Sequence, residues 1–356
     1  MDPELTAALA GMPYVSLADP AAARDAMRAL VEALSEPVAD ARVEVEDREI
    51  PGPAGAPVPI RIYRPRDRRG QVPFSIRGDD PPDPPATEAP SALASLALPV
   101  LVYFHGGGFV TGDLENEHVR CLDFAGEVGI VVVSVDYRLA PEHPFPAAFD
   151  DGYAATVWVR ENAAELGADP GRIGVGGGSA GGGLAAGIAL RARDEDGPPL
   201  AFQLLIYPVL DDRMDTPSMR AFVEPPLFNR GDVAHMWRHY LGPHHGEAPV
   251  YAAPARADDL AGLPPAYMLV AEADPLRDED LAYAVRLIQA GVPTELHHVP
   301  DVYHGFDGVQ SAAVAREALA GQRAALRRGL SVSGAGPGDR SRSRTIPGHA
   351  VHQVIR

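Results

Sequence analysis

The sequence predicts an α/β fold whose mostly parallel sheet is covered by helices on both faces. Beyond Pro99, short apolar segments alternate with helical stretches, and such segments are typical of parallel strands that are buried on both sides. The chain has 356 residues, of which 46% are hydrophobic, enough for a large core. The predicted parallel strands are 100–104, 130–135, 172–176, 202–207, 266–271 and 294–299.

The N-terminal part precedes this alternation. Asp19 and Pro20 form a helix-start signal, and apolar residues follow them at helical spacing. Two alternating segments, Val43–Ile50 and Val58–Arg64, predict strands that are separated by a turn rich in proline and glycine. We therefore expect helices within residues 1–42, followed by two strands.

Three segments lie outside the expected core, which covers 43–210 and 251–330. Residues 66–98 are rich in Pro, Asp and Arg and predict a flexible surface insertion. Residues 211–250 contain a helical apolar stripe after a core strand, which predicts a lid, although an ordinary surface helix would carry the same stripe. Residues 331–356 turn to Ser, Gly, Arg and Pro, as in a disordered tail.

The composition excludes several classes of function. A net charge of −18 argues against binding to nucleic acids or anionic membranes, because both need clustered positive charge. All 31 residues counted as Lys or Arg are arginine, which excludes a P-loop lysine, a pyridoxal Schiff base and a Ser-Lys dyad. Cys121 is the only cysteine, so no intrachain disulfide or cysteine-based metal cluster can form. With no long apolar run and no basic signal region, we expect a cytoplasmic protein without a membrane span.

The segment Gly176–Gly183 follows a predicted strand and contains the pattern G-x-S-x-G around Ser179. This pattern places a serine on a sharp strand-to-helix turn, where glycine two residues before and after avoids a clash of β carbons. A nucleophilic serine is one interpretation. The same glycines also fit the dinucleotide fingerprint G-x-G-x-x-G, and a purely structural turn is a third possibility. The earlier strands disfavour the dinucleotide alternative, whose fingerprint normally follows the first strand.

A serine nucleophile needs hydrogen-bond donors for the oxyanion that it creates. The segment His105–Phe109, reading HGGGF, follows the first predicted parallel strand, and its glycines leave backbone N–H groups accessible. We predict that Gly107, Gly108 and Ala180, the residue after the serine, donate to the oxyanion.

These motifs together resemble the hormone-sensitive-lipase-like esterases of the α/β-hydrolase superfamily. HGGGF and G-x-S-A-G-G are joined by three further segments of the same family pattern: DYRLAPEHPFP at 136–146, ADPLRDE at 273–279 and YHGF at 303–306. The resemblance implies an α/β-hydrolase fold, a cap built from 1–42 and 211–250, and activity on short- to medium-chain acyl esters. It also implies that no metal or cofactor is needed.

The expected catalytic triad is Ser179, Asp274 and His304. These residues occur in the order Ser, acid, His that α/β-hydrolases use, and each follows a predicted strand. Asp278 and Asp301 compete for the role of the acid, and His297 and His298 for that of the base. The competing histidines lie within a strand pattern, whereas His304 follows it.

Other residues carry weaker expectations. His235 and His239 have metal-ligand spacing, but the zinc-protease motif is absent and we predict no metal site. Gly178 and Gly183 stand where the family commonly has Asp or Thr and Asn, and we expect them to loosen the turn. Five apolar residues are predicted to line the substrate pocket: Phe222, Leu227, Phe228, Met236 and Trp237.

The sequence thus predicts a serine carboxylic-ester hydrolase that acts on a small ester substrate through an acyl-enzyme. A related hydrolase of amides, lactones or carbamates is the alternative within the same mechanism. A non-catalytic small-molecule receptor on the same fold is an alternative from another class, which the presence of His304 disfavours. Since many relatives dimerise, a homodimer is also expected.

Overall fold

One mixed sheet of eight strands forms the centre of the molecule. The computed structural model describes residues 1–10, 14, 16–34, 39–66, 97–224 and 228–331. The strands are β1 (Val43–Pro51), β2 (Pro57–Pro65), β3 (Leu98–Phe104), β4 (Val131–Val135), β5 (Ala168–Gly178), β6 (Phe202–Ile206), β7 (Ala266–Ala273) and β8 (Thr294–Tyr303). Their order in the sheet is β1-β2-β4-β3-β5-β6-β7-β8. Strands β1 and β2 pair antiparallel with their neighbours, and the other six strands are parallel.

The helices connect these strands and cover the sheet. They are α1 (Pro3–Leu9), α2 (Pro20–Leu34), α3 (His118–Asp123), α4 (Ala147–Glu161), α5 (Ala163–Leu166), α6 (Ala180–Asp194), α7 (Pro217–Ala221), α8 (Arg230–Leu241), α9 (Arg277–Gln289) and α10 (Ala313–Ser331). Among the described residues, none of these helices is both long and apolar enough to cross a membrane.

Two apolar cores lie on opposite faces of the sheet, because successive side chains of a strand point to opposite sides. In β3, Val100, Val102 and Phe104 belong to the core under α4, α6 and α9. Leu101 and Tyr103 of the same strand belong to the core under α3 and α10. The prediction of a mostly parallel sheet covered on both faces is confirmed.

The described residues also locate the predicted segments. Residues 67–96 of the expected insertion and 332–356 of the expected tail lie outside them. Strand β3 begins at Leu98, inside the predicted insertion, because the Leu98 N–H donates to the Gly167 carbonyl at 2.9 Å. The expected cap segment 211–250 contains α7 and α8.

Candidate active site

Ser179 lies on the turn between β5 and α6, at the carboxyl end of the sheet. Its φ of +56° and ψ of −118° are strained for a residue with a β carbon. Hydrogen bonds hold this conformation, since the Ser179 N–H donates to the Ile206 carbonyl at 2.9 Å and its carbonyl accepts from Val209 at 3.1 Å. A β carbon at either Gly177 or Gly181 would overlap with the Phe104 carbonyl oxygen. The strand therefore passes close enough to require both glycines of the G-x-S-x-G pattern.

The first two glycines of the possible dinucleotide fingerprint, Gly176 and Gly178, do not form a free phosphate-binding loop. Gly176 and Gly178 belong to strand β5, where they pair with Leu204 and Ile206 of β6. Their backbone groups are thus committed to the sheet, which argues against the dinucleotide interpretation of the pattern.

His304 and Asp274 complete a hydrogen-bonded chain that ends at the serine hydroxyl. His304 Nε2 lies 2.9 Å from Ser179 Oγ, and His304 Nδ1 lies 2.6 Å from Asp274 Oδ2. The other oxygen of Asp274 accepts from the Leu276 N–H at 2.9 Å. Asp274 is fully buried, and only 10% of the His304 side chain is exposed. This arrangement can remove the proton of the hydroxyl and orient the imidazole at the same time.

The four competing residues lie elsewhere. Asp278 accepts from the Ser218 N–H at 2.7 Å, and Asp301, with 71% of its side chain exposed, pairs with the N-terminal amine of Met1. His297 pairs with Glu295, and His298 is exposed on β8.

The HGGGF loop passes directly beside Ser179. A β carbon on Gly106 would lie 3.7 Å from the β carbon of Ser179. Gly107 and Gly108 have φ values of +110° and +62°, which favour glycine. None of the hydrogen bonds found among the described residues uses their N–H groups. Ala180 is the first residue of α6, so its N–H has no acceptor within the helix.

His105 supports this loop from the interior. Its ring stacks on Tyr137 at 4.1 Å between centroids, and the Tyr137 hydroxyl donates to the His105 carbonyl at 2.7 Å. Burial lowers the pKa of His105 to about 4, so the ring is neutral near pH 7. Nδ1 lies 2.7 Å from the Gly106 carbonyl oxygen, which assigns the ring proton to that nitrogen.

A cavity of about 280 Å³ opens onto Ser179 and His304. Its apolar lining includes Leu17, Met27 and Phe228, and the ring of Phe228 lies 4.6 Å from that of His304.

The other residues predicted for the pocket have different positions. Met236 lies over Gly108, 3.3 Å from where a β carbon would be. Trp237 borders a separate cavity of about 230 Å³, and Phe222 lies against the Arg277 guanidinium. Leu227 is outside the described residues.

Several residues near the cavity were not predicted from the sequence. Leu17 is held by α8, since its N–H donates to Asp232 at 3.1 Å and its carbonyl lies 3.1 Å from His239 Nε2. Glu117, the residue before α3, and Arg120, within α3, also line the cavity. The sequence signal for this polar wall is a charged residue, Arg120, directly before the apolar residues Cys121 and Leu122, which are buried.

The two histidines with metal-ligand spacing, His235 and His239, lie on α8. The rings of His235 and His239 lie 6.5 Å apart. Across the described part of the chain, no cluster of three or more His, Cys, Asp or Glu side chains has a geometry suited to a metal ion.

The chain is similar in sequence and in fold to several known proteins. A family model described as the alpha/beta hydrolase fold matches residues 101–308. The chain is 42% identical to Esterase LipI of Mycobacterium tuberculosis over 312 residues, 86% of this chain and 88% of that protein. It is 47% identical to Carboxylesterase NlhH of the same organism over 241 residues, 65% of this chain and 74% of that protein. A solved structure titled Bacterial Heroin Esterase superposes with a TM-score of 0.83 at 43% identity, covering 93% of this chain and 98% of that one.

Proposed function

This chain belongs to the hormone-sensitive-lipase-like family of α/β-hydrolase-fold esterases and is a carboxylesterase, and from that premise we propose that it hydrolyses short- to medium-chain acyl esters through Ser179, His304 and Asp274. The observation that carries the proposal is the continuous contact from Asp274 through His304 to the Ser179 hydroxyl, at 2.6 and 2.9 Å.

In the proposed first half-reaction, His304 Nε2 takes the proton of Ser179 Oγ as this oxygen attacks the ester carbonyl carbon. The carbonyl oxygen becomes an oxyanion, which the N–H groups of Gly107, Gly108 and Ala180 stabilise. Each such donor typically lowers the barrier by about 2.7–4 kcal/mol. His304 then gives its proton to the departing alcohol oxygen, and the acyl group stays on Ser179.

In the second half-reaction, water replaces the alcohol. His304 removes a proton from the water, the resulting hydroxide attacks the acyl carbon, and the proton passes to Ser179 Oγ as the acid leaves. Asp274 accepts a hydrogen bond from His304 Nδ1–H throughout and stabilises the imidazolium that forms twice per turnover. The cavity of about 280 Å³ supports small acyl groups as substrates.

The test is a series of p-nitrophenyl esters from acetate to decanoate, measured on the wild type and on Ser179→Ala. The variant should lose about 10⁶-fold in turnover, because the nucleophile and its base act as a unit. Ser134→Ala is the matched control, since Ser134 is also buried but lies in β4, away from the cavity lining. If Ser179→Ala keeps wild-type turnover, or if the wild type hydrolyses none of the esters, the proposal is wrong.

Two further measurements test the remaining expectations. Turnover of anilides in preference to esters would favour the amidase alternative. Light scattering tests the homodimer, which stays a prediction.

A further inference from the structure

One wall of the cavity beside Ser179 is polar and buried. Asn116, Glu117 and Arg120 line the cavity together with the apolar Leu17 and Met27. Only 10% of the Arg120 side chain and 15% of the Glu117 side chain is exposed. The proposed ester hydrolysis uses neither of these charged groups.

Arg120 is fixed in one position by a hydrogen-bond network that joins α3 to α10 and to the segment after β8. Its Nε donates to Glu117 Oε2 at 2.8 Å, and its Nη1 donates to Asp307 Oδ2 at 2.9 Å and to Gln322 Oε1 at 2.8 Å. Asp307 is itself fixed, because it accepts from Gln322 Nε2 at 2.7 Å and from the Tyr207 hydroxyl at 2.5 Å. A guanidinium held this way loses little further entropy when it binds a ligand.

The network leaves one donor group and one acceptor atom unused at the cavity. Among the described residues, Arg120 Nη2 and Glu117 Oε1 take part in none of the hydrogen bonds, although both side chains line the cavity. A nearly buried charged group with unused hydrogen-bonding capacity is a binding point, because a ligand that lacks a partner for it incurs the full desolvation penalty.

The charges decide which ligand fits. Burial acts to raise the pKa of Asp307, but the charge and hydrogen bonds of Arg120 outweigh it and lower that pKa, so Asp307 is ionised and offsets the guanidinium. Burial raises the pKa of Glu117, against the attraction of Arg120. Because Asp307 already offsets the charge of Arg120, an anionic substituent gains little binding free energy there. A neutral group can instead accept a hydrogen bond from Arg120 and donate one to Glu117.

We propose that Arg120 and Glu117 form a specificity site for a neutral substrate group that both donates and accepts hydrogen bonds, such as a hydroxyl or a carboxamide, remote from the scissile carbonyl. This inference rests on the proposed function of Ser179. Tyr207 links the two sites, since its ring lies 4.6 Å from that of His304 and its hydroxyl contacts Asp307. A substrate chain along Tyr207 would therefore join the reacting carbonyl to the polar wall.

The test compares esters that differ only in a terminal hydroxyl. One arm uses p-nitrophenyl 6-hydroxyhexanoate against the heptanoate, which places the group on the acyl side. The other arm uses the monoacetate of hexane-1,6-diol against heptyl acetate, which places it on the alcohol side. We expect the wild type to have kcat/KM for the hydroxylated ester at least equal to that of the alkyl ester in one arm. An apolar pocket would instead favour the alkyl ester, because it would desolvate the hydroxyl without a partner.

Variants then assign the preference to the network. Glu117→Leu, and Arg120→Leu combined with Asp307→Asn so that the fully buried Asp307 carboxylate does not lose its charged partner, should each shift the ratio of kcat/KM values toward the alkyl ester by about tenfold. Arg323→Leu is the matched control, since Arg323 pairs with Asp123 at 2.7 Å and does not line the cavity. Its ratio should equal that of the wild type.

An alkyl preference of the wild type in both arms would overturn the proposal, as would ratios that neither network variant changes. If Arg120→Leu/Asp307→Asn does not fold, the wild-type ratio and Glu117→Leu still decide. Failure of the proposed function would look different, because the wild type would then also fail to hydrolyse p-nitrophenyl acetate, which carries no hydroxyl for the polar wall to recognise.

Discussion

Single residues around Ser179 differ in how much space the fold leaves them. A β carbon on Gly178 would lie 3.7 Å from the Tyr207 ring, an ordinary contact. A β carbon on Gly183 would overlap with the Val209 carbonyl oxygen. The sequence predicts that both glycines loosen the turn, but Gly183 lies at a close approach between α6 and the loop after β6.

This difference predicts that the same substitution changes the stability at one position and not at the other. Gly183→Ala should destabilise the protein by about 1–3 kcal/mol, because a backbone carbonyl must move. Gly178→Ala should stay within about 0.5 kcal/mol of the wild type. Urea unfolding of the two variants measures both values. Equal stabilities for the pair would show that the loop after β6 shifts freely.

Asp280 is the second residue with an unusual environment. It is fully buried, and neither carboxyl oxygen has a partner among the described residues. Burial raises its pKa well above the ordinary value, and the neighbouring Glu279 and Asp274 raise it further. Ionisation of this group is therefore less favourable in the folded protein than in the unfolded chain.

Asp280→Ala should accordingly stabilise the protein, increasingly so as the pH rises. A raised folded-state pKa means that the wild type loses stability above the unfolded value near 3.8, whereas the variant does not. We expect a gain of about 1–3 kcal/mol that is larger at about pH 8 than at about pH 5.5. Urea unfolding at both pH values checks this, with the exposed Asp25→Ala as control. A pH-independent gain would mean that Asp280 does not titrate in this way.

At the scale of elements, α8 holds the N-terminal segment over the cavity. Asp232, in its first turn, accepts from the Tyr14 hydroxyl at 2.8 Å and from the Leu17 N–H at 3.1 Å. Leu17 lines the cavity and lies over Gly108. One buried carboxylate thus positions an apolar wall of the site.

Removing that carboxylate should weaken substrate binding more for longer acyl chains. Asp232→Ala should raise KM for p-nitrophenyl hexanoate by about threefold to tenfold, because each hydrogen bond to a charged group contributes about 1.5–3 kcal/mol to holding Leu17. The KM for the acetate should change less. Steady-state kinetics with Asp25→Ala as control measure the effect, and an unchanged hexanoate KM would show that the remaining contacts, such as that of His239 with the Leu17 carbonyl, are enough to position the segment.

The sequence predicts elements well where the signal is local. The strands β3 to β8 follow from short apolar segments, and the candidates Ser179, Asp274 and His304 follow from motifs at strand ends. The polar wall could not be predicted from a local pattern, because Arg120 contacts Asp307 and Gln322, which are 187 and 202 residues away in the sequence. Helical periodicity is limited in the same way. Trp237 fits the apolar pattern of α8, but this pattern does not determine which cavity its side chain borders.

At the scale of the whole molecule, the net charge of −18 sets the long-range field. Many arginines pair locally with carboxylates, and exposed pairs of this kind contribute little to stability. The uncompensated acidic excess acts at longer range, because it repels anions over distances comparable to the Debye length. Substrate charge should therefore affect the rate of encounter even when the reacting ester is the same.

We expect kcat/KM for an anionic ester, p-nitrophenyl hemisuccinate, to rise several-fold as the ionic strength increases from about 10 mM to about 200 mM, because salt screens the repulsion. The neutral p-nitrophenyl pentanoate, of similar length, should change little and serves as the control. Initial rates at low substrate concentration measure both. A fall in kcat/KM for the hemisuccinate would mean that a local arginine attracts the carboxylate more strongly than the whole molecule repels it, and Arg120, the guanidinium on the cavity wall, would be the first residue to replace.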